Sequence, residues 1–140
     1  KVIAYNRSPK RQVDVGMKSF SDVLKQSDAI AIHLIDSKET QGCIGKKQIS
    51  LMKKGVIIVN TADRKIIDEV ALFKALESGK VASYSFEGED LDQGPLVGLE
   101  NAIGLKGFGW YTKEALTNLF EIWVDNIKKL ASGKPQNRVV

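Results

Sequence analysis

Two stretches decide the fold of this chain: Ser27-Asp28-Ala29-Ile30-Ala31-Ile32-His33-Leu34 and Gly55-Val56-Ile57-Ile58-Val59-Asn60-Thr61-Ala62. Each is a short, nearly continuous apolar run closed by polar residues. Runs of this length and kind predict strands at 29–34 and 55–59, buried on both faces as in a parallel sheet. Three further runs lie outward from them, at 2–5, 80–86 and 102–105. The segments between read as helices. Residues 21–26 form a short one with Ser21 as its N-cap, and residues 47–52 turn Ile49, Leu51 and Met52 inward. Residues 69–78 carry a stripe of Val70, Leu72, Phe73 and Leu76, capped by Asp68 and stopped by Gly79. Residues 113–131 space Leu116, Leu119, Phe120, Trp123, Ile127 and Leu130 by threes and fours, one face of a long helix. Strand-helix alternation implies an α/β layer fold with right-handed crossovers. The acidic, glycine-rich stretch 87–99 reads as a loop at a strand's carboxyl end, where α/β proteins bind ligands.

Composition narrows the class. The chain has 140 residues, 43% hydrophobic and 27% charged, as expected of one globular domain. Cys43 is its single cysteine, which excludes a disulfide framework and a cysteine-based zinc site, and no metal is expected. No apolar run reaches the ~20 residues that span a bilayer. Residues 1–10 have no signal-peptide core, so the expected compartment is the cytoplasm. The net charge of +4 is spread along the chain, with adjacent lysines only at 46–47, 53–54 and 128–129. These read as solvated faces, not as a nucleic-acid stripe.

The segments also form one ordered pattern. Ser27-Asp28 precedes the first run, followed by Glu39-Thr40 and Gly42, then Leu51-Met52-Lys53-Lys54-Gly55. Val59-Asn60-Thr61-Ala62, Asp68-Glu69-Val70-Ala71-Leu72, Ser78-Gly79-Lys80, Pro95-Leu96, Glu100-Asn101-Ala102-Ile103, Thr112 and Glu114-Ala115 complete it. In order and spacing this resembles the cofactor-binding domain of the D-isomer-specific 2-hydroxyacid dehydrogenases, over nearly the whole chain. The resemblance implies a Rossmann-type, doubly wound parallel sheet in three αβα layers. It implies NAD or NADP as cofactor, and hydride transfer to or from a 2-oxo or 2-hydroxy acid. It also implies pairing into a homodimer, and a helix at 112–132 that leads toward a separate substrate domain.

The chain departs from that pattern in two ways. A strand and a G-x-G-x-x-G turn precede the segment matching residues 1–8 in the family; here the sheet is expected to be incomplete, its first strand missing. The strands at Val2 and Val56 are then expected to face each other with unpaired edges, filled by upstream residues or another chain. The second departure is chemical. The family's substrate-binding Arg falls on Asp63, with Arg64 beside it, and its catalytic His falls on Gly107. Its partner acid falls on Asp92, with Asp90 and Glu89 as rivals, and Lys106 is a remote alternative acid. These substitutions point to a catalytically deficient domain, a pseudoenzyme.

The cofactor side is better kept. The strand-end acid that takes ribose hydroxyls is replaced by Asn6, followed by Arg7 and Ser8. An Arg in place of an acid favours a 2′-phosphate, hence NADP over NAD. His33, Leu34, Thr40, Thr61, Ala62, Asp63, Glu87, Gly107 and Gly109 complete the cofactor positions that the resemblance implies. Trp110 and Tyr111 are expected either in the nicotinamide pocket or as rim packing. A non-enzymatic dinucleotide-binding or protein-interaction module is the rival reading.

Overall fold

A computed structural model describes residues 1–8, 15–107 and 111–138. The chain divides into two compact units, Lys1–Lys106 and Gly107–Val140. In the first, strands β3 (Ala29–Ile32), β4 (Val56–Asn60), β5 (Val81–Glu87) and β6 (Ala102–Leu105) form one four-stranded sheet in chain order, every pair parallel. Helices α1 (Phe20–Gln26), α2 (Lys46–Leu51) and α3 (Glu69–Glu77) alternate with them. This is the expected Rossmann-type architecture. Strands β1 (Ile3–Ala4) and β2 (Gly16–Met17) form a separate parallel pair, and β2 carries too few residues to have been expected.

Alternation along each strand sets the core. Ile30, Ile32, Val56, Ile58, Val81, Tyr84 and Phe86 point to one face, where they meet Leu24 of α1, Ile49 of α2, and Leu72 and Leu76 of α3. Ile57 and Val59 point to the other face and stay 46% and 40% exposed. Burial on both faces, expected from the apolar runs, therefore holds for one face of this unit only. Val70, placed in the buried stripe of α3, turns outward: the helical period sets Leu72, Ala75 and Leu76 on the inward face.

Caps fix the helix starts. The Asp68 carboxylate accepts from the Val70 and Ala71 amides at 3.0 and 3.1 Å, as expected. Gly79 follows α3 with φ of +68°, a conformation that costs glycine nothing. The α1 cap is Ser19, not Ser21: its hydroxyl accepts from the Asp22 amide at 3.1 Å, and Phe20 opens the helix. The expected unpaired edge also moves. β4 is paired on both sides, with β3 and β5, so Val56 lies mid-sheet; β3 is the edge on that side and β6 the edge on the other. A cleft of about 540 Å³, lined by residues 1–3 and 26–29, lies between the amino ends of β1 and β3.

The second unit is built on α4 (Lys113–Ala131), the longest helix among the described residues. The Thr112 hydroxyl caps it by accepting from the Ala115 amide at 3.1 Å, and Phe120 meets Trp123 edge-on at 5.7 Å. No described helix is long and apolar enough to cross a membrane.

Candidate functional site

Sheet register draws a row of side chains along one end. Ile32 pairs with Asn60, Asn60 with Phe86, and Phe86 with Gly104. The next residue on each strand is therefore His33, Thr61, Glu87 and Leu105, side by side at the carboxyl ends. Three of these were expected on the cofactor side. His33 Nδ1 and Thr61 Oγ1 are joined by a hydrogen bond of 2.8 Å, and both residues are exposed. Ala62 is short and half-buried, so the end of β4 is open to a flat ligand. Leu34, the next residue after His33, packs partly against the core.

Asn60 shapes this end of the sheet. It is fully buried, the one polar member of the core among the described residues. Its amide donates to the Tyr84 hydroxyl at 3.0 Å and to the Asp63 carbonyl at 3.3 Å, while its Oδ1 accepts from the Ala62 amide at 3.0 Å. A buried amide costs free energy unless bonded, and these bonds close the 60–63 turn. Burial pushes the Tyr84 hydroxyl up to about 12, against the pull of the Asn60 hydrogen bond. Sequence reasoning quoted Asn60 without giving it a role. The signal was an amide closing an otherwise apolar strand.

Below the turn lies a cleft of about 700 Å³ between the ends of β4 and β5. Asp63 lines it, but its carboxylate also caps the short 3-10 turn Arg64–Ile66, accepting from the Lys65 amide at 2.8 Å. Arg64 does reach in, and four of its five N–H donors are engaged. Its guanidinium grips Glu69 through two bonds, 2.7 and 2.9 Å, and donates to the carbonyls of Asp90 and, at 3.1 Å, Gln93. It also lies 4.9 Å over the Phe86 ring. Gly94 has φ of +93°, and a Cβ there would stand 3.0 Å from Glu69 Oε2 and 3.1 Å from Arg64 Nη2. The 88–94 loop is thus tied down against the Arg64–Glu69 pair. Asp63, Glu69, Glu87, Glu89 and Asp90 line the cleft against Arg64 and Lys65, an excess of negative charge. Asp92, the expected partner acid, is exposed and does not line it; Glu89 and Asp90 do.

At the end of β1 the Asn6 amide donates to the Ser8 carbonyl. Arg7 Nη1 donates to Glu39 Oε2 at 2.5 Å. The Thr40 hydroxyl serves its own loop, donating to the Ile35 carbonyl at 2.6 Å and accepting from the Ser37 amide at 2.9 Å. Gly107 opens the second unit. Gly109 and Trp110 lie outside the described residues. No cluster able to hold a metal occurs among the described residues.

A parallel sheet with helical crossovers, carrying its polar side chains at the strands' carboxyl ends, defines a Rossmann-type nucleotide-binding domain. The family model described as D-isomer specific 2-hydroxyacid dehydrogenase, NAD binding domain, matches residues 1–105. The chain belongs to that family. It is 36% identical to a D-3-phosphoglycerate dehydrogenase of Archaeoglobus fulgidus, over 99% of this chain and 28% of the relative. It is 33% identical to a glycerate dehydrogenase of Methylorubrum extorquens, over 99% of this chain and 45% of the relative. The chain thus spans less than half the length of these curated relatives. Among solved structures it superposes on an acyclic imino acid reductase in complex with NADPH and D-Arg, with a TM-score of 0.84 and 29% identity, covering 100% of this chain and 46% of that one. It superposes on a D-lactate dehydrogenase with NAD+ from Lactobacillus jensenii with a TM-score of 0.86 and 28% identity, covering 100% and 48%.

Proposed function

We propose that this chain is the cofactor-binding part of an NAD(P)-dependent oxidoreductase of the 2-hydroxyacid dehydrogenase type, with NADP favoured over NAD, and that its own residues do not supply the family's substrate chemistry. The cofactor, when bound, gives or takes a hydride. Thr61 and Ala62 suit its ribose–nicotinamide half, because short or exposed side chains leave the carboxyl end of the sheet accessible. Asn6, Arg7 and His33 suit its adenosine half. The observation that carries the deficient reading is the state of residues 63 and 64. A carboxylate stands at the family's Arg position, and the adjacent guanidinium is already paired with Glu69. A 2-oxo acid's carboxylate would enter a cleft of like charge with no unpaired Arg to clamp it. Gly107 has no proton to give. A cytoplasmic homodimer joined to a substrate domain is part of the same proposal.

The test is a titration with NADPH and NADH, read by calorimetry and Trp fluorescence, beside a turnover assay on simple 2-oxo acids. Micromolar cofactor binding without turnover is expected. Turnover by the unmodified protein sinks the deficient reading. Asp63→Arg with Gly107→His, in the longest natural form of the protein, is expected to restore measurable hydride transfer. Bound cofactor with continued absence of turnover in that variant means the two substitutions do not explain the loss.

A further inference from the structure

The Arg7–Glu39 pair joins two segments that are far apart in sequence. Arg7 follows β1, while Glu39 sits in the loop after β3. Both side chains are mostly exposed, 77% and 73%, so an arriving anion reaches the guanidinium without moving the backbone. The loop behind Glu39 is braced by its own bonds. Thr40 holds the Ile35 carbonyl, and Gln41 Nε2 donates to Asp36 Oδ1 at 3.0 Å. Two residues on, the Gly42 amide donates to the Lys65 carbonyl at 2.7 Å, and the Ile44 amide to the Ile66 carbonyl at 3.2 Å. The Glu39 carboxylate is therefore presented to Arg7 from a fixed backbone. No carboxylate stands on β1 itself, where Asn6 occupies the strand end.

We propose that Glu39 is a specificity-determining residue: its carboxylate occupies the Arg7 guanidinium as a resident competitor of a ligand's phosphomonoester, and so sets the preference between 2′-phosphorylated and unphosphorylated adenosine ligands. This rests on the dinucleotide reading above. A dianionic phosphate offers more charge and more acceptor oxygens than a carboxylate, so it displaces Glu39. Displacement costs the pair's own free energy, and the freed, mostly exposed carboxylate turns to solvent. An unphosphorylated ribose leaves the pair intact and does not incur that cost. Arg7 alone thus overstates the preference for a phosphate, and Glu39 scales it back. An exposed ion pair contributes at most about 1 kcal/mol, which bounds the effect near fivefold in affinity.

The experiment titrates the chain with adenosine 2′,5′-bisphosphate and with 5′-AMP, at two salt concentrations, for the wild type, Glu39→Gln, Arg7→Ala and the double variant. Glu39→Gln is expected to tighten the bisphosphate about threefold to fivefold and to leave 5′-AMP unchanged. Arg7→Ala is expected to erase the difference between the ligands, and Glu39→Gln is then expected to add nothing in that background. Tightening that persists without Arg7 reflects general charge removal and overturns the competitor role. So does an unchanged ratio in Glu39→Gln while both ligands bind, and in that case the dinucleotide reading survives. Failure of the folded chain to bind either ligand overturns the dinucleotide reading and the competitor role together.

Discussion

Arg64 makes more side-chain bonds than any other residue of the cleft. Its pair with Glu69 is mostly shielded, with side-chain exposures of 18% and 16%. Arg64→Ala would leave Glu69 as an uncompensated, half-buried carboxylate and release two carbonyls of the 88–94 loop. The expected cost is about 2 kcal/mol, below the 3–5 of a fully buried pair because solvent screens part of it. Urea denaturation checks it, with Arg64→Lys expected to recover less than half, since an ammonium cannot replace the two-bond grip. A loss under 0.5 kcal/mol would mean that the loop holds itself. Tyr84 offers a pH signature. Burial raises its folded-state value to about 12 from an unfolded value near 10, so the folded chain holds the proton more tightly than the unfolded one. The sign follows: this contribution is intact below pH 10 and is lost as pH climbs from 10 to 12, at roughly 1.4 kcal/mol per unit. Spectrophotometric titration of tyrosinate should show a late phase that disappears in Tyr84→Phe. These residues also mark where sequence reading stops. The substitutions at 63 and 107 are visible in the letters. Which side chain engages Arg64 is decided by the α3 start folding back five residues later, and no spacing rule announces that.

Short elements turn on single caps. Ser19 and Ser21 stand two residues apart ahead of the same helix, and both are acceptable cap types. The chain uses Ser19, because a start at Phe20 lets that ring reach Tyr5, 5.2 Å away between centroids, and sets Leu24 into the core. Ser19→Ala is expected to cost about 1 kcal/mol, and Ser21→Ala less than half of that. Thermal unfolding of the two variants separates them, and equal losses would show that the caps share the load. Asp68, by contrast, was readable directly, since it precedes a strong apolar stripe and ends at Gly79. The strands tell a similar story. Residues 29–32 and 56–60 were legible from their apolar runs. Gly16–Met17 was not, because two residues carry no periodicity and pair only because β1 lies beside them. The Arg7–Glu39 contact escaped for a related reason: loops that meet across 32 residues leave no local pattern.

At the scale of the whole molecule, the sheet is strong in the middle and weaker at its two edges. β4 is bonded on both flanks, β5 likewise, and their inward residues Ile58, Val81 and Tyr84 are fully buried. β3 and β6 have one partner each, and β1–β2 is a two-residue ladder beside the cleft at the β3 edge. The resemblance foresaw an incomplete sheet but set the open edge at Val56, one strand too far in; the register of Ala29 on Ile57 corrects it. Local opening follows partner number and burial, not position in the sequence. Native-state hydrogen exchange should therefore rank the amides of β4 and β5 slowest, those of β3 and β6 intermediate, and those of β1 and β2 near the unprotected rate. The order has a functional consequence. The ends of β4 and β5 carry Thr61, Ala62 and Glu87, whereas Arg7 hangs from the weakest ladder. A nucleotide that engages both is expected to slow exchange in β1 and β2 as well as in β4, because every opening that breaks its site is suppressed. Slowed exchange in β4 with β1 and β2 unchanged would place the bound nucleotide on the central strands alone and leave Arg7 out of the site.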